Sequence, residues 1–428
     1  MKVLVVGAGG REHAIIKKLK ENAAVTEVFA APGNGGIGFD ATCVPYKPSE
    51  LDEIVKFCVM QSIGYVVVAP DDPLVAGLVD MLEEKGIPCF GPSKAAAAIE
   101  GSKVFSKSLM KKYNIPTAEY EAFTNEAEAS AYIKKNTAYP IVIKADGLAL
   151  GKGVIIAADE QEAQKAIHSM MSDKQFGAAG DSVVIEEFLT GPEVSVLSFT
   201  DGRTIVPMVS SMDHKRALDG DKGLNTGGMG AVAPNPYYTE EIASACMKKI
   251  FIPTINAMNA EGRTFKGCLY FGLILTSVGP KVIEYNCRFG DPETQVVLPL
   301  LKTDLFEVMQ AVTEERLAQT DIEFSDKYAA CVVLASGGYP VKYETGKRIT
   351  GLVSGEIRFV PNTVAYHAGT QLLGREIATS GGRVLGITAV ADTLQEAVDN
   401  AYKAADIVQF KGMHKRMDIG QKALAAKL

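Results

Sequence analysis

Residues 141 to 153 of the chain read IVIKADGLALGKG, an apolar run that leads into a loop rich in glycine and lysine. A P-loop requires four residues between its two glycines, followed by Lys and then Ser or Thr. Here Gly147 and Gly151 enclose three residues, and Gly153 follows Lys152. The stretch therefore does not predict a P-loop, although its composition is typical of a loop that binds phosphates.

The pattern around this loop indicates a strand, the loop, a strand, a helix and a further strand between residues 139 and 190. We expect the loop to join two antiparallel strands, where glycines let the backbone amides fold over a polyphosphate. Lys144 on the preceding strand then supplies a fixed positive charge. A solvated hairpin tip is the alternative.

Two acidic residues interrupt the next apolar strand, in residues 183 to 196, VVIEEFLTGPEVSV. Glu186 and Glu187 are unusual in a strand that is buried on both faces. A purine read by backbone groups at a hinge after the strand explains the pattern, with Glu193 placed to accept hydrogen bonds from ribose hydroxyls. An exposed strand end is the alternative.

The segment 281 to 295, KVIEYNCRFGDPETQ, is the most informative part of the chain. Side chains alternate along a strand, so Glu284, Asn286 and Arg288 are expected on one face. A carboxylate and an amide oxygen suit a Mg²⁺ that bridges nucleotide phosphates, and Arg288 is placed to stabilise charge on a transferred group. The alternative is an exposed, charged strand face. Simple alternation also puts Val282 in this row, with Ile283, Tyr285 and Cys287 on the opposite face.

The polar segment 210 to 231, SSMDHKRALDGDKGLNTGGMGA, is rich in glycine and charge. As part of a site, this segment places Asp213 and Lys215 beside the phosphates. A mobile surface loop is the alternative.

The N-terminal segment GAGGREH, at 7 to 13, closes a strand and opens a helix, where unpaired amides attract anions. A dinucleotide fingerprint would require glycine at position 12, which is Glu12, and an acid after the second strand. We therefore favour a small phosphorylated ligand at the mouth of this sheet over an NAD site or a simple tight turn. PGNGG at 32 to 36 and Asp71 should face the same crevice.

Composition limits the class of protein. The 428 residues predict two to four domains, and a net charge of −7 argues against a broad nucleic-acid surface. No apolar run approaches the ~20 residues of a membrane helix. Seven scattered cysteines without a CxxC pair, and five dispersed histidines, indicate reduced thiols in a cytoplasm and no zinc cluster.

Alternation of apolar strands and amphipathic helices predicts an α/β N-terminal domain with a parallel sheet, over residues 1–101. One helix is expected in PLVAGLVDMLEEKG, residues 73 to 86. An α+β domain should follow over 102–325, and a small β-rich domain over 326–428.

Seven motifs in this order resemble the phosphoribosylamine–glycine ligases, a family of ATP-grasp enzymes of purine biosynthesis also called glycinamide ribonucleotide synthetases. The motifs are GAGGREHA, GPSKAAAAIEGSK, IVIKADGLALGKGV, VIEEFLTGPEVS, DHKR, NTGGMGA and IEYNCRFGDPETQ. The resemblance extends from Met1 through RMDIG at 416 to 420. It implies a pre-ATP-grasp domain, an ATP-grasp fold that clamps ATP between two α+β lobes, with 119–190 as the lid, and a small C-terminal domain.

The resemblance also implies roles for individual residues. ATP would be held by Lys103, Lys144, Gly147, Gly151, Lys152, Gly153, Glu186, Glu187, Leu189 and Glu193. Mg²⁺ or Mn²⁺ would be bound by Glu284 and Asn286, and the catalytic residues would be Arg288, Asp213 and Lys215. Phosphoribosylamine would face Gly9, Gly10, Asp71, Asp291 and Arg383. One departure concerns Asp71, because the family often shows GPE where this chain has APDD at 69 to 72.

The reaction implied is the ATP-dependent joining of glycine to 5-phosphoribosylamine through glycyl phosphate, by a cytoplasmic monomer or small homo-oligomer without nucleic-acid or membrane partners. Another ATP-grasp carboxylate–amine ligase is the nearest alternative. An NAD-dependent oxidoreductase leaves 144–153 and 281–295 unexplained, and a nucleotide sensor would not need the row that begins at Glu284.

Overall fold

A computed structural model describes residues 1–136, 138–148, 153–175 and 177–426 of the chain. The N-terminal part is a five-stranded sheet with strand order β3-β2-β1-β4-β5, and each neighbouring pair is parallel. The predicted parallel α/β architecture is therefore confirmed. Its elements are β1 (Lys2–Gly7), α1 (Gly10–Leu19), β2 (Glu27–Pro32), β3 (Thr42–Cys43), α2 (Leu51–Gln61), β4 (Tyr65–Val68), α3 (Asp71–Ala76), α4 (Leu78–Glu83), β5 (Cys89–Phe90) and α5 (Lys94–Gly101).

Helix α1 begins where Glu12 caps it. The Gly9 amide donates to Glu12 Oε2 at 2.6 Å, which satisfies one of the unpaired N–H groups of the first turn. A Cβ at Gly7 would lie only 2.5 Å from Glu12 Cγ, so the glutamate side chain fills the space above the turn. The residue that breaks the dinucleotide fingerprint thus covers the surface that a pyrophosphate would approach.

The single helix predicted over 73 to 86 is wrong, because the structure has two short helices, α3 and α4, on either side of Gly77. The φ of Gly77 is +101°, a left-handed conformation that ends the first helix. The apolar spacing on both sides is helical, and the sequence pattern alone did not reveal the break.

The next part is a small lobe with a four-stranded antiparallel sheet, in the order β6-β9-β7-β8, backed by two helices. Ile133, Ile143, Ile167 and Val183 belong to its separate hydrophobic core. Strands β7 and β8 are antiparallel, so the prediction that the glycine–lysine loop joins such a pair is confirmed. The elements are α6 (Lys103–Lys112), β6 (Tyr120–Phe123), α7 (Glu126–Lys135), β7 (Ile141–Ala145), β8 (Val154–Ala157), α8 (Glu160–Met171) and β9 (Val183–Glu187).

A second antiparallel sheet, in the order β11-β10-β16-β17, carries the metal-site segment at its edge. Its elements and the neighbouring ones are β10 (Glu193–Thr200), β11 (Ile205–Pro207), β12 (Met212–Asp213), β13 (Arg216–Leu218), β14 (Lys222–Asn225), β15 (Gly230–Ala233), α9 (Glu240–Cys246), α10 (Ile252–Ala260), β16 (Gly267–Thr276), β17 (Gly279–Asn286), α11 (Thr294–Val297) and α12 (Leu305–Thr313).

Strand β17 contains a bulge that corrects the predicted alternation of its side chains. Glu284 pairs with Gly272, but the next pair along the strand is Val282 with Leu273, so Ile283 is an extra residue. Val282 is consequently buried in the same core cluster as Tyr285 and Cys287. The prediction that Val282 shares the row of Glu284 is therefore wrong, since the bulge reverses the alternation at this point.

The C-terminal part forms a sheet in the order β12-β15-β18-β22-β19, to which β23 adds at β18. Two of these strands, β12 and β15, come from the middle of the chain, so the sheet joins residues on both sides of the predicted boundary at 325. The C-terminal elements are β18 (Tyr328–Ser336), β19 (Thr363–His367), β20 (Thr370–Leu373), β21 (Glu376–Thr379), β22 (Arg383–Ala391), α13 (Leu394–Ile407), β23 (Met413–His414) and α14 (Gln421–Leu424).

The seven cysteines are all free thiols, and only Cys43 is exposed. Within the described part of the chain, no helix combines the length and apolarity needed to cross a membrane.

Candidate active site

Two lysines enclose the buried carboxylate of Glu186. Lys144 Nζ lies 3.0 Å from Glu186 Oε1, and Lys107 Nζ lies 3.1 Å from Oε2. Lys144 also donates to the carbonyl of Ile283, the bulge residue of β17, at 3.1 Å. Burial, partly offset by Glu186, lowers the pKa of Lys107 to about 8. Glu186 therefore fixes Lys144 in place between the lobe and the second sheet.

Lys107 was missed by the sequence analysis, although it lies one helical turn after Lys103 on α6 and so shares its face. Lys103 Nζ donates to the carbonyl of Gly147 at 2.7 Å. Burial, together with the positive charge of Lys144, lowers the pKa of Lys103. The start of the glycine loop is thus held against the lysine face of α6.

Asp146 fastens the same loop by accepting hydrogen bonds from the Val104 amide at 3.2 Å and the Ser182 hydroxyl at 3.1 Å. At the far end of the loop, the Gly153 carbonyl accepts from the Ala145 amide at 2.8 Å. Of the predicted loop residues, Gly151 and Lys152 lie outside the described residues.

The predicted hinge residues connect β9 and β10: Glu187 is the last residue of β9, Leu189 lies in the connection, and Glu193 is the first residue of β10. Glu187 accepts from Lys281 Nζ at 2.8 Å. Burial would raise the pKa of the carboxyl, but this hydrogen bond, the Glu119 amide and the lysine charges together lower it. Leu189 is partly buried and Glu193 is exposed. Glu193 Oε2 lies 3.5 Å from Lys215 Nζ, so the hinge adjoins the 210–231 segment.

Glu284, Asn286 and Arg288 share one face of the strand, as predicted, and each is partly open to the cleft. Glu284 Oε1 lies 3.6 Å from Lys215 Nζ, and Asn286 Oδ1 accepts from Arg288 Nη2 at 3.1 Å. Burial would raise the pKa of Glu284, but neighbouring lysines, Lys215 first, outweigh it and hold the pKa below its ordinary value. The carboxylate is therefore ionised near neutral pH.

This row fits a divalent cation. An ionised carboxylate and an amide oxygen on one face are hard ligands of the kind that Mg²⁺ prefers, and Mg²⁺ usually completes its shell with water and substrate phosphates. Among the described residues, no group of three or more His, Cys, Asp and Glu could hold a metal by itself. A divalent cation on Glu284 and Asn286 would therefore need further ligands, such as water or substrate phosphates.

Arg288 is anchored by two acids, Glu100 and Asp71. Its Nη2 lies 3.0 Å from Glu100 Oε1 and 3.8 Å from Asp71 Oδ2. Glu100 Oε2 also accepts from the Cys287 amide at 2.7 Å, so α5 supports the end of β17 directly. Glu100 was not predicted from the sequence, where its signal was a single acid in the apolar helix KAAAAIEG. Asp71, predicted to face phosphoribosylamine, lies beside Arg288.

Asp213 and Lys215 both lie in the cleft. Lys215 lies between Glu193 and Glu284; burial opposes its charge, but these carboxylates raise its pKa well above the ordinary value. Asp213 Oδ1 is buried, and it has no hydrogen-bond partner within the described residues. Burial, reinforced by the negative charge of Glu293, raises the pKa of Asp213 well above its ordinary value.

The hairpin β13–β14 that follows Lys215 is fixed from outside by Arg416. This guanidinium is fully buried and bonds Asp418 with two nitrogens, at 2.7 and 2.8 Å. It also lies 3.0 Å from Asp221 Oδ1 and donates to the Arg216 carbonyl at 3.1 Å. The C-terminal segment thus holds the loop that presents Lys215.

A cavity of about 380 Å³ opens between the N-terminal sheet and the C-terminal part, lined in part by Gly9, Asn34, Asp291 and Arg383. Arg383 Nη1 lies 3.3 Å from Asp291 Oδ1 and donates to the Gly227 carbonyl at 2.7 Å. Burial would raise the pKa of Asp291, but Arg383, Arg11 and the hydrogen bond from Gln295 together outweigh it and hold the pKa below its ordinary value. The predicted residues Gly9, Asp291 and Arg383 are brought together here.

Gly10 and Asp71 do not line this cavity. A Cβ at Gly10 would lie 2.6 Å from Gln295 Nε2, so Gly10 allows close packing of α1 on α11. In the segment PGNGG at 32 to 36, Asn34 Nδ2 donates to the carbonyls of Ala8 and His367 at 2.9 and 2.8 Å. Gly33 and Asn34 line the cavity, as expected for this segment.

Three models of one family match successive parts of the chain. They are the phosphoribosylglycinamide synthetase N domain over residues 1–100, the ATP-grasp (A) domain over 101–294 and the C domain over 329–422. A phosphoribosylamine–glycine ligase of Rhodopirellula baltica is 50% identical over 428 residues, 99% of this chain and 98% of the relative. A ligase of the same name from Caldanaerobacter subterraneus is 47% identical over 98% of this chain and 99% of the relative.

Comparison with solved structures points to the same family. The crystal structure of a phosphoribosylamine–glycine ligase from Thermotoga maritima superposes with a TM-score of 0.85 at 34% identity, covering 98% of this chain and all of that one. A biotin carboxylase of Campylobacter jejuni in complex with β,γ-ATP has a TM-score of 0.73 at 15% identity, over 97% of this chain and 92% of that chain. The latter likeness concerns the fold alone.

Proposed function

The chain belongs to the phosphoribosylglycinamide synthetase family, and from this membership we propose how its cleft carries out the family's reaction. It is an ATP-dependent ligase of purine biosynthesis that joins glycine to 5-phosphoribosylamine, as the sequence resemblance implied. The oxidoreductase alternative is not favoured. The observation that carries the assignment of the site is the row Glu284–Asn286–Arg288, which faces Lys103, Lys144 and Lys215 across one cleft.

We place ATP between the antiparallel lobe and the second sheet. Lys144 on β7 of the lobe and Lys103 at the start of α6 would neutralise the phosphates, while Glu186 and Lys107 keep Lys144 in position. The remaining ATP residues stay predictions: Gly147, Gly151, Lys152 and Gly153 as the loop over the phosphates, and Glu187, Leu189 and Glu193 as contacts to the nucleoside.

Glu284 and Asn286 would hold Mg²⁺, with Mn²⁺ as the second candidate. Bound there, the metal would neutralise charge on the phosphates of ATP. Lys215, within 3.6 Å of Glu284, would add a positive charge on the same side of the cleft.

The proposed chemistry has two steps. A carboxylate oxygen of glycine attacks the γ-phosphorus of ATP, the bond to ADP breaks, and glycyl phosphate forms. The amine of 5-phosphoribosylamine then attacks the carbonyl carbon, phosphate leaves with the bonding electrons, and the new amide nitrogen loses a proton. Arg288 and Lys215 would stabilise the negative charge on the transferred group, so no covalent enzyme nucleophile is required. Asp213 lies beside Lys215, and Gly9, Gly10, Asp71, Asp291 and Arg383 are proposed to face phosphoribosylamine.

The experiment that tests this function is a coupled assay of ADP release. Release should require glycine, 5-phosphoribosylamine and Mg²⁺ together, and a panel of other amino acids in place of glycine should be poor substrates. Equal ADP release without either co-substrate would contradict the assignment. The assay also compares Mg²⁺ with Mn²⁺ at equal concentrations.

We further expect a cytoplasmic enzyme that works as a monomer or small homo-oligomer, without nucleic-acid or membrane partners. The net charge of −7 supports the expectation about nucleic acid, since a broad basic surface would be required. Sedimentation of the purified chain over a hundredfold range of concentration would measure its oligomeric state.

A further inference from the structure

The imidazole of His13 lies where the N-terminal sheet meets the C-terminal part, and the proposed function gives it no role. The residue belongs to α1 and is 1% exposed. Its Nδ1 accepts a hydrogen bond at 2.8 Å from the backbone amide of His367, the last residue of β19. Its Nε2 lies 3.0 Å from Oδ2 of Asp40, in the connection between β2 and β3. One ring therefore joins two N-terminal segments to a residue 354 positions later in the chain.

These partners fix the protonation of the His13 ring. A backbone amide can only donate, so the Nδ1 that faces the His367 amide carries no proton. The proton of the neutral ring is therefore on Nε2, which donates it to the carboxylate of Asp40. Burial lowers the pKa of His13, and the hydrogen bond to Asp40 only partly offsets this effect. His13 is thus held as the neutral Nε2–H tautomer.

The charged and titratable groups that face His13 come from α1, the connection between β2 and β3, and both ends of the segment around β19: Lys17, Lys20, Asp40, Glu356 and His367. Asp40 accepts from Lys17 Nζ at 2.9 Å and from Lys20 Nζ at 2.7 Å. Lys17 also pairs with Glu356. Burial would raise the pKa of Asp40, but hydrogen bonds from His13, Lys20 and Lys17 outweigh it and lower the pKa. Asp40 is therefore ionised, and the charge of Lys17 disfavours a second proton on His13.

His367 is neutral as well. Its Nε2 lies 2.9 Å from the carbonyl oxygen of Gly355, which can only accept, so Nε2 carries the proton. Its Nδ1 consequently accepts from the hydroxyl of Thr370, at 3.0 Å. Burial lowers the pKa of His367 to about 3. A Cβ at Gly36 would overlap this ring, so the loop after β2 packs directly against it.

The segment that follows His367 lines the cavity between the N-terminal sheet and the C-terminal part. Residues 368–370 form part of one wall, and Asn34 forms part of the facing wall. The Gly35 amide donates to the Thr370 carbonyl at 2.9 Å, and Asn34 Nδ2 donates to the His367 carbonyl at 2.8 Å. The peptide groups of His367 and Thr370 thus join the two walls.

We propose that His13 is a positioning residue for the phosphorylated substrate, because its bare Nδ1 holds residues 367–370 against the N-terminal sheet and so keeps one wall of the cavity in place. This inference rests on the proposed function, which puts phosphoribosylamine in this cavity, and it adds a residue that does not touch that substrate. A proton on Nδ1 would face the proton of the His367 amide, and the hydrogen bond that anchors the wall would be lost. The cavity should therefore keep its affinity only while His13 is neutral.

The pH dependence follows from the direction of the shift. Because the fold lowers the pKa of His13 from 6.5, the ring is neutral above this pH and the hydrogen bond is complete there. The bond is lost as the pH falls through the lower, folded pKa. A phosphate ester takes up a proton near pH 6, so the ligand itself titrates in the same range. The wild type must therefore be compared with a variant that has no imidazole at position 13.

Two substitutions in the full chain separate the two nitrogens of the ring. The side chain of His13→Asn places an oxygen acceptor near the position of Nδ1 and gives up the hydrogen bond to Asp40, which keeps Lys17 and Lys20. The longer side chain of His13→Gln reaches the position of Nε2 instead and offers the His367 amide no acceptor. The Asn variant should therefore preserve the wall of the cavity, and the Gln variant should not.

The kinetics of the three substrates are the first measurement. His13→Gln should raise the KM for 5-phosphoribosylamine roughly 10- to 100-fold, because a buried N–H group loses its acceptor, whereas His13→Asn should stay within about threefold of the wild type. The KM values for ATP and glycine should change less than about twofold in both variants, since residues 367–370 lie away from the metal row. His168→Gln, which replaces an exposed histidine on α8 paired with Glu126, is the matched control and should behave as the wild type.

Binding of ribose 5-phosphate is the second measurement, since this ester carries the phosphate of the substrate without its labile amine. Calorimetry from pH 8 to pH 5.5 gives its dissociation constant. That constant should rise at least about threefold more for the wild type than for His13→Asn, whose residue 13 does not titrate. Equal pH profiles of the two proteins would overturn the inference.

Nuclear magnetic resonance of the chain labelled with ¹⁵N in its five histidines observes the tautomer directly. The His13 signals, assigned by their absence from the spectrum of either variant, should show a protonated Nε2 and a bare Nδ1 at pH 7.5. A proton on Nδ1 at this pH, in the neutral or the charged ring, is incompatible with the proposed role.

The kinetic outcomes are equally decisive. An unchanged KM for phosphoribosylamine in His13→Gln overturns the inference, and so does an equal rise in the Gln and Asn variants. A rise in the KM of all three substrates would indicate a purely structural role and would overturn it too. If the wild type releases no ADP with glycine and phosphoribosylamine, but ribose 5-phosphate binds with the expected pH dependence, the proposed function fails and His13 still positions the wall of a cavity for a phosphorylated ligand.

Discussion

Replacing the buried Arg416 with Gln should destabilise the C-terminal sheet and loosen the segment that presents Lys215. The guanidinium bonds Asp418 twice, at 2.7 and 2.8 Å, and reaches Asp221 at 3.0 Å. Gln is shorter and neutral, so it leaves Asp418 without its main partner and Asp221 with Lys422 alone. Arg416 is about 200 residues from Lys215 in the sequence. It still contacts the segment that carries Lys215, because it donates a hydrogen bond to the carbonyl of the next residue, Arg216.

The magnitude follows from the two acids. Burial would raise the pKa of Asp418, but the hydrogen bonds and charge of Arg416, together with the Gly220 amide, outweigh it and lower the pKa to about 2. A shift of this size corresponds to about 2 kcal/mol. Asp221 keeps its ion pair with Lys422 and is partly exposed, so it adds about 1 kcal/mol. The expected loss is about 3 kcal/mol, at the lower end of the range for breaking a buried ion pair.

Scanning calorimetry, or circular dichroism since the chain has no tryptophan, is the suitable assay. A loss of about 3 kcal/mol should lower the midpoint of the corresponding transition by roughly 6–12 °C. Lys422→Gln is the matched control, because it removes a mostly exposed partner of the same Asp221 and should change the midpoint by less than about 2 °C. The kcat of Arg416→Gln should also fall, with that of the control unchanged.

The pH dependence gives an independent check on the same residues. The folded pKa of Asp418, about 2, is lower than its ordinary value, so its stabilisation is complete above about pH 4 and is lost as the pH falls through about 2. The difference in midpoint between wild type and Arg416→Gln should therefore shrink over this range. Equal midpoints of the two proteins at pH 7 would refute the reasoning.

Three further predictions concern the metal site, a buried histidine and the lobe. Glu284→Ala should lower kcat by on the order of 10²- to 10³-fold with an unchanged thermal midpoint, as for loss of one charge-stabilising group, and near-normal steady-state rates would remove Glu284 from the site. Burial lowers the pKa of His214 to about 4, so its stabilisation is complete above about pH 6.5 and is lost toward pH 4; His214→Gln should flatten the fall of the midpoint over that interval, and an unchanged slope would contradict this cause. ATP should slow hydrogen exchange of the amides in Val154–Ala157, because we expect nucleotide to close the lobe; equal exchange with and without ATP would argue against closure.

Most of the fold could be predicted from local sequence patterns. Apolar strands in the first hundred residues, and the antiparallel pair around the glycine–lysine loop, follow from short-range periodicity. The bulge at Ile283 could not be read from β17 alone, because it depends on the register of Leu273 and Gly272 on the neighbouring strand. The break at Gly77 likewise leaves the helical spacing on both sides intact.

The residues of the site likewise fall into two groups, those that a local sequence pattern predicts and those that depend on distant segments. Glu284 and Asn286 share one side chain row within a single strand, so sequence placed them correctly. Lys107, Glu100 and Glu293 act through partners that are distant in the chain, and their signals were only a lysine one turn from Lys103, a lone acid in an apolar helix and an acid after Pro292. Such residues are recognised only once the pairing of distant segments is known.

The shared C-terminal sheet has a consequence for synthesis of the chain. Strand β15 ends at Ala233 and its partner β18 begins at Tyr328, so the ribosome adds nearly a hundred residues before β15 can pair with it. At ordinary elongation rates this delay is on the order of ten seconds. During this delay the nascent chain exposes the unpaired edge of β15, along which another chain can associate by strand pairing. Premature termination before residue 328 should therefore yield aggregates, whatever the quality of the N-terminal domain.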